Sequence, residues 1–126
     1  MKKLFLATLA STFMVSVATA ETVDVTIPFK PTSSTHYFAN LTTSYVKKHS
    51  PNMDYKLTNI KGAGGSKAAV IFTKKAKPTG SEWMITSGSL AMNFVLKGAD
   101  KAGYNYNAWR PMISLSTGGT LVANKS

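Results

Sequence analysis

The chain has 126 residues, with 15 Lys+Arg against 5 Asp+Glu, two histidines and no cysteine. That length accommodates one small domain with a modest core, and the lack of cysteine excludes disulfides and lipid attachment at a thiol. A formal net charge of +10 points towards anionic partners, whether small molecules, an acidic envelope or nucleic acid.

Lys2 and Lys3 precede an apolar run from Leu4 to about Val17 and the small-residue stretch Ala18-Thr19-Ala20, the layout of a removable export signal. Ser11 and Thr12 interrupt the run, which falls short of the roughly 20 residues a membrane span needs. Residues 1–20 are expected to be cleaved near Ala20, leaving 21–126 outside the cytoplasm. Without Lys2 and Lys3, 13 of the 15 basic side chains remain against 5 acids, a balance of +8. The lysines are scattered, without a dense run or interleaved aromatics, so a solvated basic surface is expected and a nucleic-acid partner is not.

Val23, Val25, Ile27 and Phe29 alternate with polar residues and Pro28, which predicts a first strand. After the Pro31-Thr32-Ser33-Ser34-Thr35 loop, the period becomes helical. Tyr37, Phe38, Leu41, Tyr45 and Val46 fall on one face, Ser34 or Thr35 caps the start, Lys47, Lys48 and His49 suit the last turn, and Pro51 ends the helix. Met53, Tyr55 and Leu57 alternate in a second strand with a wetter face, as expected near a sheet edge. Asn59 to Gly65 turns the chain into a helix through Ala68, Ala69, Val70, Ile71, Phe72 and Ala76 that ends near Lys74-Lys75 and a Pro78-Thr79-Gly80 turn.

Glu82 to Thr86 predicts a short third strand built on Trp83 and Ile85. Ser87-Gly88-Ser89 opens a helix through Leu90, Met92, Phe94, Val95 and Leu96 that closes at Gly98, followed by loop from Asp100 to Asn107. Met112 to Leu115 and Thr120 to Ala123 read as further strands around Thr117-Gly118-Gly119. This alternation predicts an α/β fold, a mainly parallel sheet with helices on both faces. All strand-to-helix loops of such a sheet lie at its carboxyl edge, where open α/β sheets bind ligands.

Three of those loops carry small polar residues: Thr32, Ser33, Ser34 and Thr35; Gly62, Ala63, Gly64, Gly65 and Ser66; and Ser87, Gly88 and Ser89. Bare N–H groups and hydroxyls at helix amino ends suit an anion, although the glycines alone are equally explained by a tight turn with positive φ. Two nucleotide motifs fail. A Walker A loop requires Gly-Lys-Ser/Thr where this chain has Gly-Ser-Lys, and the dinucleotide fingerprint requires a glycine where Lys67 stands. Two histidines, no cysteine and five dispersed acids offer neither a nucleophile-base set nor a metal cluster, so no catalysis, cofactor or metal is expected. His36 beside the first loop is either an anion or pH sensor or a helix-start surface residue. Trp83 reads as strand core and Tyr104 and Tyr106 as loop packing rather than ligand stacking, while Arg110, followed by Pro111, reads as loop surface.

Val25-Thr26-Ile27-Pro28-Phe29-Lys30-Pro31, followed about thirty residues later by Asn59-Ile60-Lys61-Gly62-Ala63-Gly64-Gly65, resembles the substrate-binding receptors of tripartite tricarboxylate transporters. The Trp83 to Asn93 stretch and the run from Trp109-Arg110-Pro111 to Val122 are similar to that family's third strand, the loop and helix after it, and its fourth-strand region. The resemblance implies a periplasmic-binding-protein-like (type II) lobe. It also implies a periplasmic solute-binding protein that captures a small organic anion, such as a carboxylate, and delivers it to membrane permease subunits. Ligand contacts would fall on Thr32 to Thr35, Gly62 to Ser66 and Ser87 to Ser89, with Asn93 nearby. The family has Gly-Gly where this chain has Thr32-Ser33, and an Asp near His36. Its receptors have two lobes, so residues 21–126 are expected to be the amino-terminal part of domain I. A basic exported adhesion or polyanion-binding domain is the alternative from the charge alone.

Overall fold

The computed structural model describes residues 21–115. Strand β1 (Glu21–Ile27) is followed by helix α1 (Ser34–His49), β2 (Met53–Asn59), α2 (Ser66–Lys75), β3 (Glu82–Met84) and α3 (Ser89–Ala102). Single 3-10 turns at Ala63–Gly65 and Tyr106–Ala108 complete the order. The chain is α/β, with a three-stranded parallel sheet ordered β2-β1-β3 and helices against both faces. The expected export signal, the expected Thr117-Gly118-Gly119 turn and the expected Thr120 to Ala123 strand lie outside the described residues.

Alternation within β1 sets the two faces. Val23, Val25 and Ile27 are fully buried and pack with Ala39 of α1, joined by Tyr55, Leu57, Trp83 and Ile85. Parallel register places like beside like, because Val23 pairs with Tyr55 and Val25 with both Leu57 and Trp83. The opposite face presents Asp24, Thr26, Thr58 and Glu82 beneath Ile71 and Phe72 of α2. Met84, the register partner of Thr26, joins Ala69, Leu90 and Tyr104 in a second core between α2 and α3.

Strand β1 therefore sends its chain to one face, whereas its neighbours β2 and β3 send theirs to the other. A right-handed path from β1 outwards to β2 and back across to β3 requires that split. It also places the switch point of the sheet at the carboxyl end of β1, the position at which open α/β sheets bind ligands. β2 sits at an edge of the sheet, and its residues are half-buried or exposed, matching the wetter face read from its sequence.

The structure corrects five local expectations. Helix α1 does not bury the Tyr37/Phe38/Leu41/Tyr45 face: Tyr37 is 72% exposed, Leu41 58% and Tyr45 66%, while Ala39 and Thr43 are buried. The sheet side already supplies large side chains, so the helix approaches through its small residues, and Thr43 satisfies its hydroxyl by donating to Ala39 O at 2.9 Å. The cap is Ser33 rather than Ser34 or Thr35; its Oγ accepts from His36 N at 3.2 Å.

Helix α3 breaks but does not finish at Gly98. That residue takes φ 76° and ψ 163°, the chain resumes a helical turn to Ala102, and Gly103 at φ 74° ends it. Buried Ala102 and Tyr104 anchor what the sequence reads as the Asp100 to Asn107 loop, with Tyr104 Oη donating to Leu90 O at 2.8 Å. Tyr104 and Trp109 stack at 5.5 Å, and Trp109 Nε1 donates to Thr73 Oγ1, so the tyrosines do serve loop packing. Met112 to Leu115 forms no strand; Met112, Ile113 and Leu115 are exposed, and no neighbouring strand among the described residues takes up their backbone groups. β3 is also shorter than the Glu82 to Thr86 reading, ending at Met84, although Ile85 N still donates to Thr26 O at 3.0 Å.

Candidate ligand-binding rim at the carboxyl edge of the sheet

Because all three strands run parallel, the loops after β1, β2 and β3 leave from the same edge, and specific contacts lock them together. Ile60 N donates to Ile27 O at 2.9 Å, and Asn59 Nδ2 donates to Phe29 O at 2.8 Å, tying the second loop to the first. Gly65 is the wedge between all three. A Cβ placed there would lie 3.2 Å from Pro28 Cβ and 3.2 Å from Leu90 Cδ2, so backbone from the second loop touches side chains from the first loop and from α3. At φ 94°, the position is also one that only glycine adopts freely.

Above that wedge, Gly62, Ala63 and Gly64 are exposed and all have positive φ, at 139°, 49° and 62°. Ala63 is the only non-glycine residue with positive φ among those described, a conformation that costs roughly 1–2 kcal/mol for an L-residue. Gly65 N donates to Gly62 O and Ser66 N to Ala63 O, leaving the N–H groups of Ala63 and Gly64 at the open start of the turn. Asn93 of α3 reaches this segment, its Nδ2 3.7 Å from the point a Gly64 Cβ would occupy.

The other two loops contribute hydroxyls under different constraints. Ser33 is committed as the α1 cap, while Thr32 and Ser34 are exposed and Thr35 half-buried beside it. Ser87 and Ser89 share a hydrogen bond at 2.6 Å between their Oγ atoms across exposed Gly88, which caps α3 without a side-chain bond. The structure thus gathers all thirteen sequence-predicted positions along one edge. Gly65 alone lies buried beneath the rim, its N–H already used.

Electrostatically the rim is one-sided. None of the three helices has an acidic residue in its first turn, so each amino-terminal dipole end is uncompensated there. Glu21 and Glu82 begin β1 and β3, and Asp54 is the second residue of β2, all at the opposite edge of the sheet. Lys30 and Lys61 belong to the rim loops and Lys67 to the first turn of α2, and all three are exposed. His36 is half-buried, with its Nδ1 buried and lacking a hydrogen-bond partner.

Sequence reasoning places Pro28 at the end of the first strand and in the run that carries the resemblance, Leu90 in the third helix, and Lys67 where a nucleotide motif fails, but gives none of them a part in shaping the rim. The part played by Pro28 and Leu90 is contact across loops, which leaves no local signal. Lys67 does leave a signal, a cation in the first turn of a helix, where the dipole disfavours it. Two open clefts of about 230 Å³ lie elsewhere, one between α2 and the polar sheet face and one between α1 and β2; at the rim itself Gly62, Ala63, Gly64, Gly88 and Ser89 are exposed, as on an open shelf. Among the described residues no group of three or more His, Cys, Asp or Glu is placed to hold a metal, and no helix is long and apolar enough to cross a membrane. No family model, curated protein or solved structure matches the chain.

Proposed function

We propose that the chain is a lobe of an exported solute-binding receptor that captures a small organic anion, a carboxylate, for a tripartite tricarboxylate-type transporter. The observation that carries this reading is the convergence of three acid-free loops, locked by Gly65 against Pro28 and Leu90, with free N–H groups and hydroxyls on a positively biased rim. Such groups replace the water around a carboxylate without chemistry, and charge-assisted hydrogen bonds are stronger than neutral ones. The strand order β2-β1-β3 is compatible with the first lobe of a periplasmic-binding-protein-like (type II) domain. An open shelf supplies one wall of a ligand cleft, so a second lobe closing over the anion would bury it and signal occupancy to the permease subunits.

The test is thermal stability of the full chain against mono-, di- and tricarboxylates at millimolar concentration. A ligand binding the folded state at ten times its Kd adds about 1.4 kcal/mol and raises the melting temperature. If no carboxylate raises it, the receptor reading fails. Ionic strength then separates a built rim from diffuse surface attraction, which fades as salt is raised through the physiological range.

A further inference from the structure

We propose that the free side of β2 pairs antiparallel with the same strand of a second copy of this chain, joining their sheets into one. β2 is the outer strand on that side, and its register with β1 is unbroken from Met53 to Asn59, with neither a bulge nor a proline to spoil the outer flank. Glu21 N donates to Asn52 O and Ile60 N to Ile27 O, so the even-numbered positions along β2 turn their backbone groups towards β1. Tyr55 and Leu57 therefore turn theirs outwards, and no backbone group outside the sheet takes them up among the described residues. The Tyr55 ring leans inwards to Trp83, at 5.4 Å between centroids, and the open cleft between α1 and β2 keeps the helix off that flank.

Charge selects the register. An antiparallel pairing that joins these outward groups sets Tyr55 opposite its own copy, Tyr55 opposite Leu57, or Leu57 opposite its own copy. The second sets Lys56 against Lys56, and the third sets Lys56 against Thr58. Only the first sets Asp54 against Lys56 and Lys56 against Asp54, in the non-hydrogen-bonded pairs where side chains approach most closely. On the other face the same register places Met53 against Leu57 on either side of the tyrosines, apolar against apolar beside the α1 core. Lys56 then lies between Asp24 of its own chain, 3.8 Å away, and Asp54 of the second copy. Asp54 also meets Lys47 within its own chain, but that pair is half-exposed and leaves the carboxylate open to a second cation. The rim loops leave from the carboxyl ends of the strands, so they stay free in the joined sheet, and the pairing is independent of the receptor reading.

Sedimentation velocity of the full chain over a concentration series tests this, at physiological ionic strength where repulsion between two chains of +10 is screened. The chain self-associates, and the Tyr55 and Leu57 amides gain hydrogen-exchange protection as the dimer fills. Asp54→Lys sets cation against cation in both pairs and Lys56→Asp sets carboxylate against carboxylate, so each weakens self-association at least about tenfold. General charge repulsion predicts the opposite for Lys56→Asp, which lowers the net charge. Mixed in equal amounts, the two variants restore complementary pairs and associate with each other within about twofold of the original chain. Both side chains are at least half exposed, so the fold is retained, and far-UV circular dichroism checks this. A chain that stays monomeric, a mixture that does not associate, or self-association of either variant within about twofold of the original overturns the proposal. So does protection of the Tyr55 and Leu57 amides that is independent of concentration, since residues of the same chain then cover the strand.

Discussion

Replacing Gly65 by alanine tests whether the three loops meet as described. The new methyl would sit 3.2 Å from Pro28 Cβ and 3.2 Å from Leu90 Cδ2, inside the 3.5–4.0 Å optimum for carbon contacts. Overpacking of that kind costs about 1–3 kcal/mol. Holding alanine at φ 94° adds roughly 1–2 kcal/mol, offset by about 0.4–1 kcal/mol from the stiffer unfolded chain. The net loss is about 2–4 kcal/mol, a large part of the stability of a small domain. Gly64→Ala is the matched control. It also has positive φ, at 62°, but its methyl meets only Asn93 Nδ2 at an ordinary 3.7 Å, so about 1 kcal/mol is expected. Urea unfolding followed by Trp83 and Trp109 fluorescence gives both values, and their difference isolates the three-loop contact. Losses equal within about 0.5 kcal/mol would mean that Pro28 and Leu90 do not close on Gly65, and the shared rim would lose its structural basis.

Ser33→Ala should cost about 1 kcal/mol in the same urea assay through loss of the α1 cap, and Ser33→Asp should retain most of it. Tyr104→Phe should cost about 0.5–1.5 kcal/mol, because it removes the buried hydrogen bond that the phenol adds to the helical Leu90 carbonyl; a loss below 0.5 kcal/mol would show that this bond does not hold the loop to α3. Burial pushes the Tyr55 phenol above its ordinary value of 10.0, so the folded state holds that proton more firmly than the unfolded chain. The resulting contribution is fully present below about pH 10 and is lost as pH rises through the folded value. Tyr55→Phe should therefore flatten the decline of the urea midpoint above pH 10, with little change at pH 7.

Much of the α/β order is legible because β1 and β2 alternate with period two, and because Pro51, Gly80 and the polar loops punctuate the chain. β1 reads clearly because it is central: Val23, Val25 and Ile27 are all fully buried. Which face of α1 packs is not legible, since hydrophobicity favours Tyr37, Leu41 and Tyr45 while packing distance selects Ala39 and Thr43. Met112 to Leu115 misleads for a related reason: β-propensity describes a side chain's fit to a sheet, and pairing requires a neighbour. The candidate loops are legible as residue types, but their meeting point is not. Gly65 reads as one glycine among several, and its role depends on Pro28 and Leu90, dozens of residues away on either side.

The layout of charge explains why the rim is a more specific feature than the overall excess of lysine. The carboxyl ends of the helices are compensated, by Lys47, Lys48 and His49 in α1, Lys74 and Lys75 in α2 and Lys101 in α3. Those cations answer the carbonyl ends of their own helices and lie at the edge away from the rim loops. The amino ends have no such partner, although an acid in each first turn would contribute about 0.3–1 kcal/mol. For stability alone, leaving three amino ends bare and adding Lys67 beside one of them is a loss repeated at the same edge. That repetition has a physical use if the missing negative charge arrives from outside, since one anion at the carboxyl end of β1 answers several dipole ends at once. A protein working by diffuse surface charge gains nothing from such an arrangement, because its lysines act equally well wherever they are exposed. The asymmetry between the two edges therefore favours a localised anion over a polyanionic surface.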